Sequence, residues 1–439
     1  MMIADIVHET WFQWTLYFQS ALAHFIIQWI LRPVLRYFQV ASAPYPGDQN
    51  VSTEWLTKIF RKDREMAGHG QIVRVNIQDL AENRGYIGGM TRLTVEFRNG
   101  NSETFVMKAV RTQTVVDRYN AIMMGQFREG KFYDEFSNEF QGIIPKVYYS
   151  FGSSLTGDCL VLMEDLQKVG TGVNHYFGNQ IWGARNLSNE ENEKPEVLLE
   201  RIYCSFAKIH AKYWCNSFLM EHSWLKSAAW YRGENKAQWN LSLKTVQRLW
   251  AKAKSNQRAI ENNWSPKLVS IIDRSLFAST WKALQNDMHN PDTPFTLTHG
   301  DFHAANMFSI PTKKRLAVVD WPEIGVGEPL TELGQFMISD VKPDFRRKHE
   351  KSLVRKYWKV LTANGVSAEA YPFEKCWNAY VTGCVQRWIY MFVLLANLGL
   401  PKEALQYFHD QLLSFIEDHG SHSIYILKTI PCVPDSLFQ

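Results

Sequence analysis

The sequence predicts an α+β chain of two lobes, a small β-rich one followed by a larger, mainly helical one. Three observations predict it. Between residues 72 and 166, apolar and polar residues alternate and break at turn residues, the pattern of half-buried strands. From about Leu198 the apolar residues recur at helical spacing instead. The chain has 439 residues, 46% hydrophobic and 21% charged, enough for a sizeable core in two or three domains or one large two-lobed body.

The same composition excludes wholesale disorder, collagen and a many-span membrane protein. Lys and Arg number 48 against 44 Asp and Glu, a net charge of +4 spread along the chain. No long basic block points to nucleic acid, so none is expected as a partner. Cys159, Cys204, Cys215, Cys376, Cys384 and Cys432 are scattered without a CxxC pair. They read as buried or free thiols of a reducing compartment, so a cytoplasmic location is expected. Sixteen tryptophans fit either a large apolar site or simply a bulky core.

Residues 1–50 read as an N-terminal aromatic helix and a linker. Trp11 to Leu31 carries no Asp, Glu, Lys or Arg, about the length of a membrane span. Asp5 and Glu9 at its start, with no basic segment, are unlike a secretory signal peptide. Gln13, Ser20, His24, Gln28 and Arg32 form one polar stripe, and aromatic and aliphatic residues fill the other faces. Three readings stay open: packing on the body or a partner, peripheral membrane contact through residues 11–31, or a span. For a span, Arg32 and Arg36 would keep the C-terminal bulk in the cytoplasm. Pro33 and the Ala43–Asp48 stretch are expected to break the helix and form a linker.

The small lobe is expected over 51–166. A short helix follows Val51, and Ile72–Ile77 and Leu93–Phe97 alternate. Asn99-Gly100 reads as a two-residue hairpin. Thr104–Val110 is its partner strand, with Phe105, Met107 and Ala109 on one side and Val106 and Lys108 on the other. Before the hairpin, glycines 85, 88 and 89 would let backbone N–H groups approach a phosphate, although glycines in a turn are ordinarily only a turn. Lys108 alone reads as a solvated strand lysine. Glu129, on the next helical stretch, is placed to pair with it. Cys159–Met163 is an apolar strand that ends in Glu164, Asp165 and Leu166, a natural hinge.

The large lobe is expected over 167–439. Ile202, Phe206, Ile209, His210 and Tyr213 share helical spacing, and His210 reads as a satisfied core histidine. The informative segment is Thr298-His299-Gly300-Asp301-Phe302-His303-Ala304-Ala305-Asn306. Asp301 and Asn306 lie five apart in a loop between short strands, able to set a carboxylate on an acceptor hydroxyl and an amide oxygen on a metal. Fourteen residues after Asn306, the run Leu316–Val319 ends in Asp320, at the tip of the next strand. A hydroxyl-orienting Asp, a metal-binding Asn and a metal-binding Asp are the parts that phosphoryl transfer needs.

These motifs resemble the aminoglycoside phosphotransferase/choline-kinase-like superfamily, and within it the ecdysteroid-kinase-like (CHK) group of small-molecule kinases. Carrying motifs are His299-Gly300-Asp301…Asn306, Val319-Asp320-Trp321 and Gly327-Glu328-Pro329-Leu330-Thr331-Glu332-Leu333. Glu129-x-x-Phe132-Tyr133, Leu162-x-Glu164-Asp165-Leu166 and Ala207–Ala211 support them. The resemblance runs from about residue 72 to 395 and leaves residues 1–50 outside it.

The resemblance implies a bilobal protein-kinase-like fold and transfer of the γ-phosphoryl group of ATP, with Mg²⁺, to a small-molecule hydroxyl. It makes Asp301 the catalytic residue and Asn306 and Asp320 the magnesium ligands. Lys108, paired with Glu129, would hold the α- and β-phosphates, Gly85, Gly88 and Gly89 would cover them, and Met163, Glu164, Asp165 and Leu166 would lie against adenine. Departures are Trp321-Pro322 after Asp320, Glu332 where relatives often carry Asp, and a glycine turn unlike G-x-G-x-x-G. No Ala-Pro-Glu follows Asp320, against a protein kinase. Trp182, Trp214, Trp224, Trp230, Trp239, Trp250 and Trp388 suggest an apolar or steroid-like alcohol as acceptor. The alternative is a catalytically silent nucleotide-binding module, membrane-associated through its N-terminal helix.

Overall fold

The computed structural model describes residues 2–37, 44, 51–80, 88–110, 112–177, 193–255, 263–420 and 424–428. The chain divides into two compact units. The first is Met1–Val169 with Val319–Glu323, and the second is Gly170–Val318 with Ile324–Gln439. Of the linker Ala43–Asp48 only Pro44 is described.

The first unit is built on one antiparallel sheet: β1 (Ile72–Asp79), β2 (Gly88–Phe97), β3 (Ser102–Val110), β4 (Val147–Gly152) and β5 (Cys159–Glu164), ordered β1-β2-β3-β5-β4. Alternation decides its faces. Phe105, Met107 and Ala109 pack with Leu93, Val95, Leu160 and Leu162 under the Thr53–Phe60 helix. Ser52 caps that helix by accepting the Trp55 N–H. Lys108 therefore points to the opposite face. There the Arg128–Phe136 helix approaches closely, because Gly130 lies where a Cβ would stand 2.1 Å from the Phe151 carbonyl oxygen.

Two local expectations change. The β2–β3 turn spans Arg98–Gly100 rather than two residues, with Gly100 alone left-handed at φ +85°, as three-residue hairpins require. Gly88 and Gly89 lie in β2, paired with Val110 and Ala109, rather than in a turn. Ladder bonding outcompetes the turn there, and Gly85 lies outside the described residues.

The N-terminal helix Met2–Phe25 runs through a wide turn, Ile26–Leu31, into Arg32–Tyr37. Pro33 thus does not end it. The wider turn before the proline accommodates the missing N–H bond. The helix packs on the Val115–Met124 helix of its own unit. Glu9, Ser20, Ala23 and Ile27 are its buried residues, and Gln19 donates to the Ser154 and Leu155 carbonyls at 3.1 and 3.0 Å. Of the polar stripe, Ser20 is buried and His24, Gln28 and Arg32 are half-buried, while Gln13 stays exposed. Trp11, Trp14, Phe18, Leu22, Phe25 and Trp29 face solvent, with Trp11 and Trp29 at 73% and 72% exposure. Among the described residues, no helix is long and apolar enough to cross a membrane.

The second unit is mainly helical, with two small antiparallel sheets. One pairs β7 (Thr296–Thr298) with β10 (Gly325–Gly327); the other orders β6 (Thr171–Gly172), β8 (Met307–Ile310) and β9 (Arg315–Val318) as β6-β8-β9. At its centre, helices Pro329–Asp340 and Phe373–Leu395 touch through small residues. A Cβ on Gly334 would fall 1.6 Å from Cys384 Sγ, and one on Gly383 would fall 2.8 Å from Thr331 Oγ1. Trp230, Trp239, Trp250 and Trp388 are buried and serve as core, so they do not support an apolar acceptor pocket. Trp214 and Trp224 are half-buried, and Trp182 lies outside the described residues. Cys159, Cys204, Cys215, Cys376 and Cys384 are free thiols, and Cys432 lies outside the described residues. Burial pushes the Cys159 and Cys376 thiols up to about 12, so both are inert neutral core groups.

Candidate active site

In the first unit, Lys108 Nζ lies 2.6 Å from both Glu129 Oε2 and Asp320 Oδ1. The lysine is brought by β3, the glutamate by the first turn of the Arg128–Phe136 helix. Asp320 comes two residues after β9, at φ +68°. That left-handed backbone is uncommon outside glycine and best tolerated by Asn and Asp. It is held by its neighbour. The Trp321 N–H donates to Glu129 Oε1 at 3.3 Å, and the Trp321 ring stacks on Phe132 at 4.0 Å and meets the edge of Phe140 at 5.4 Å. The Trp-Pro departure thus has a structural use: one helix grips the Asp320 segment through the carboxylate of Glu129 and the ring of Phe132. Arg128 Nη1 adds a bond to the Pro322 carbonyl at 3.3 Å.

Burial would lower the Lys108 ammonium, but Asp320 and Glu129 outweigh it and hold it well above its ordinary value. Burial raises Glu129, against the pull of Lys108. One ammonium between two carboxylates leaves the cluster net negative, and the Asp320 side chain is 42% exposed. An exposed carboxylate with charge to spare fits a hard cation such as magnesium.

The proposed hinge uses its acids locally. Glu164 Oε1 accepts the Lys146 N–H at 2.8 Å, and Asp165 Oδ2 accepts from Arg92 Nε at 2.7 Å. Met163, Asp165 and Leu166 are buried. What these four residues can offer a base is backbone and apolar surface rather than free carboxylates.

In the second unit, the loop between β7 and β8 carries Asp301 and Asn306. Gly300 bends it at φ +83°, a conformation that favours glycine. Asn306 Nδ2 donates to the Asp301 carbonyl at 3.0 Å and stands 3.5 Å from Asp301 Oδ2. The amide's donor end is thereby spent on the loop, which leaves its carbonyl oxygen as the acceptor of the group, a hard ligand suited to magnesium. Asp301 Oδ1 accepts from Gln335 Nε2 at 3.1 Å, and Oδ2 lies 3.5 Å from His303 Nε2. Burial would raise the Asp301 carboxyl, but His303, Arg387 and His299 outweigh it and hold it well below the usual carboxylate range. Such a carboxylate stays ionised and accepts hydrogen bonds at any working pH.

Sequence reasoning missed what shapes this loop. One helix, Pro329–Asp340, holds it at three points. Glu332 Oε2 accepts the His299 N–H at 2.7 Å and the Gly300 N–H at 3.4 Å, and its Oε1 accepts from His210 Nε2 at 2.7 Å. Gln335 holds the Asp301 carboxylate. Asp340 Oδ2 accepts the Ala304 N–H at 3.0 Å, and burial raises its carboxyl. His210 is the core histidine expected, fully buried, with Nδ1 2.9 Å from the Tyr357 hydroxyl. The Glu332 signal was visible in the motif. Gln335, Asp340 and Arg387 have no local signal, because nothing in sequence places them against a loop 34 to 87 residues away.

The two clusters gather the expected residues as Lys108–Glu129–Asp320 and Asp301–Asn306. Among the described residues, no three His, Cys, Asp or Glu side chains converge as a preformed metal cage.

No curated protein sequence matches the chain. Among solved structures it is similar to a Plasmodium vivax ethanolamine kinase, at 10% identity and a TM-score of 0.43, over 88% of this chain and 92% of that one. It is likewise similar to the choline kinase LicA of Streptococcus pneumoniae, at 11% identity and a TM-score of 0.43, over 83% of this chain and 99% of that one. The profile of the ecdysteroid kinase-like family matches residues 209–367. Over that segment, which holds His210, the Asp301–Asn306 loop, Asp320 and Glu332, the chain matches the ecdysteroid kinase-like family to which its motifs pointed.

Proposed function

We propose that the protein is an ATP- and magnesium-dependent phosphotransferase that moves the γ-phosphoryl group to a hydroxyl of a small molecule in the cytoplasm. The observation that carries this reading is the Asp301–Asn306 loop: a carboxylate kept ionised beside an amide whose donor end is spent on the loop. Asp301 orients the acceptor hydroxyl and takes its proton as the oxygen bonds to phosphorus. Lys108, fixed by Glu129, holds the α- and β-phosphates, and the backbone of Met163–Leu166 lies along the adenine. Asn306 and Asp320 hold magnesium, which, when bound, neutralises charge on the phosphates. The acceptor is an apolar, steroid-like alcohol on this reading. Its support is the family match, since the buried tryptophans lend none.

The test is incubation with ATP, magnesium and a metabolite extract enriched in sterols, choline and amino alcohols, read by mass spectrometry. One or more metabolites should gain a single phosphoryl group. Chelating magnesium should stop the gain, and restoring it should bring the gain back. Nucleotide binding without any product, across acceptors, would instead favour the silent binding module.

The outward aromatic face of the N-terminal helix supports a second part of the proposal, reversible contact with a membrane surface. Tryptophans prefer the bilayer interface, and no charge from residue 11 to 31 would have to be desolvated. Each large side chain withdrawn from water contributes about 1.5–3 kcal/mol. The full chain should therefore sediment with phosphatidylcholine–phosphatidylserine vesicles, and the Trp11→Ser, Phe18→Ser, Trp29→Ser variant should stay in the supernatant. A full chain that ignores vesicles overturns this part.

A further inference from the structure

We propose that Gln335 and Arg387 form a positioning relay that fixes the plane of the Asp301 carboxylate, an inference that rests on the phosphotransferase reading.

The relay is directional. Arg387 Nε donates to Gln335 Oε1 at 2.9 Å, and Gln335 Nε2 donates to Asp301 Oδ1 at 3.1 Å. An arginine has no acceptor, so it must meet the oxygen of the amide. That leaves the amide only one orientation, with its N–H toward the carboxylate. A second donor of the same guanidinium, Nη2, bonds the Gly300 carbonyl in the preceding turn. Arg387 thus ties the backbone before Asp301 and the side chain of Asp301 to one rigid plane.

The supporting shell is dry and tightly packed. Gln335 and Arg387 are 2% and 6% exposed. The Trp388 indole N–H donates to the Gln335 carbonyl at 3.1 Å. The helices that carry the two residues meet through Gly334 and Gly383, so neither can slide without a clash. The geometry serves the reaction because a hydroxyl is oriented by the lone pairs of one carboxylate oxygen. Gln335 holds Oδ1 while His303 and Asn306 stand 3.5 Å from Oδ2, so contacts at both oxygens fix the plane in which the free lone pairs lie. A small rotation of the carboxylate would misdirect the acceptor, which is costly even for displacements near 1 Å.

The test compares the unsubstituted protein with Gln335→Met, which keeps the length of the side chain and removes the amide, and with Arg387→Lys, which cannot make both bonds. Turnover of ATP with magnesium is measured with the best acceptor found, or with water as acceptor. It is scaled to the fraction of molecules that bind nucleotide. Both variants should lose about 10- to 100-fold in kcat, with KM for ATP within about twofold, because the nucleotide contacts are elsewhere. Gln335→Met turning over at the unsubstituted rate per binding-competent molecule overturns the relay. So does a loss carried by KM rather than kcat. An unsubstituted protein that binds ATP yet never turns it over overturns the phosphotransferase reading itself, and that result is seen without any variant.

Discussion

Asp301→Asn is expected to lower turnover by about 10²–10⁴-fold, the range for loss of a positioned general base, while nucleotide affinity is kept. Asparagine has the shape of aspartate, and Gln335 can still donate to its oxygen. What disappears is the charge that His303, Arg387 and His299 hold below the usual carboxylate range. A group so depressed is a weak base in the resting state, so its work is to orient the hydroxyl and receive the proton late, once bonding to phosphorus has made that hydroxyl acidic. The sign for stability follows. A depressed carboxyl stabilises the folded state above the ordinary carboxylate range and loses that contribution as pH falls. Asp301→Asn should therefore melt somewhat below the unsubstituted protein at neutral pH, with the gap closing only in strong acid. Turnover is checked by phosphorylated product and folding by thermal melting. Unchanged turnover in Asp301→Asn would remove Asp301 from the mechanism.

Glu332→Ala should have the largest effect on stability. The carboxylate is buried and accepts from His210 and from the N–H groups of His299 and Gly300. Alanine leaves all three donors without an acceptor in a dry interior, and each buried donor left unsatisfied costs about 1–3 kcal/mol. The loop before Asp301 would lose the acceptor that sets its bend, so activity should fall with stability. Glu332→Asp retains the charge but is one methylene shorter, and it should lie between the two. Denaturant unfolding measures the first effect and product formation the second. An alanine variant within about 0.5 kcal/mol of the unsubstituted protein, inside the ordinary scatter for surface changes, would show that water replaces the carboxylate.

The legible features were those whose cause is local. Alternation at β3 assigned Phe105, Met107 and Ala109 to one side and Lys108 to the other, and the sheet has those faces. The spacing of His210 in a helix identified a core histidine, because burial follows period. Errors fell where a local signal met a competing bond. Gly88 and Gly89 read as a turn but complete a ladder. Pro33 read as a stop, yet a wide turn ahead of it absorbs the lost bond. Tryptophan content read as a possible site, but bulky rings fill a large helical core equally well, and composition does not say which.

By itself the sequence determined the two-part α+β organisation, the charged residues with phosphotransfer spacing and the family that residues 209–367 match. These follow from period, turn chemistry and short spacing, which a chain carries along its length. Only the tertiary structure decided that Ser20, Ala23 and Ile27 of the N-terminal helix turn inward and its aromatic face outward. Only it brought Gln335, Asp340 and Arg387 to the Asp301 loop. The reason is physical. Those partners are chosen by which buried donors and acceptors must be satisfied once distant helices pack, and no spacing along the chain records that choice.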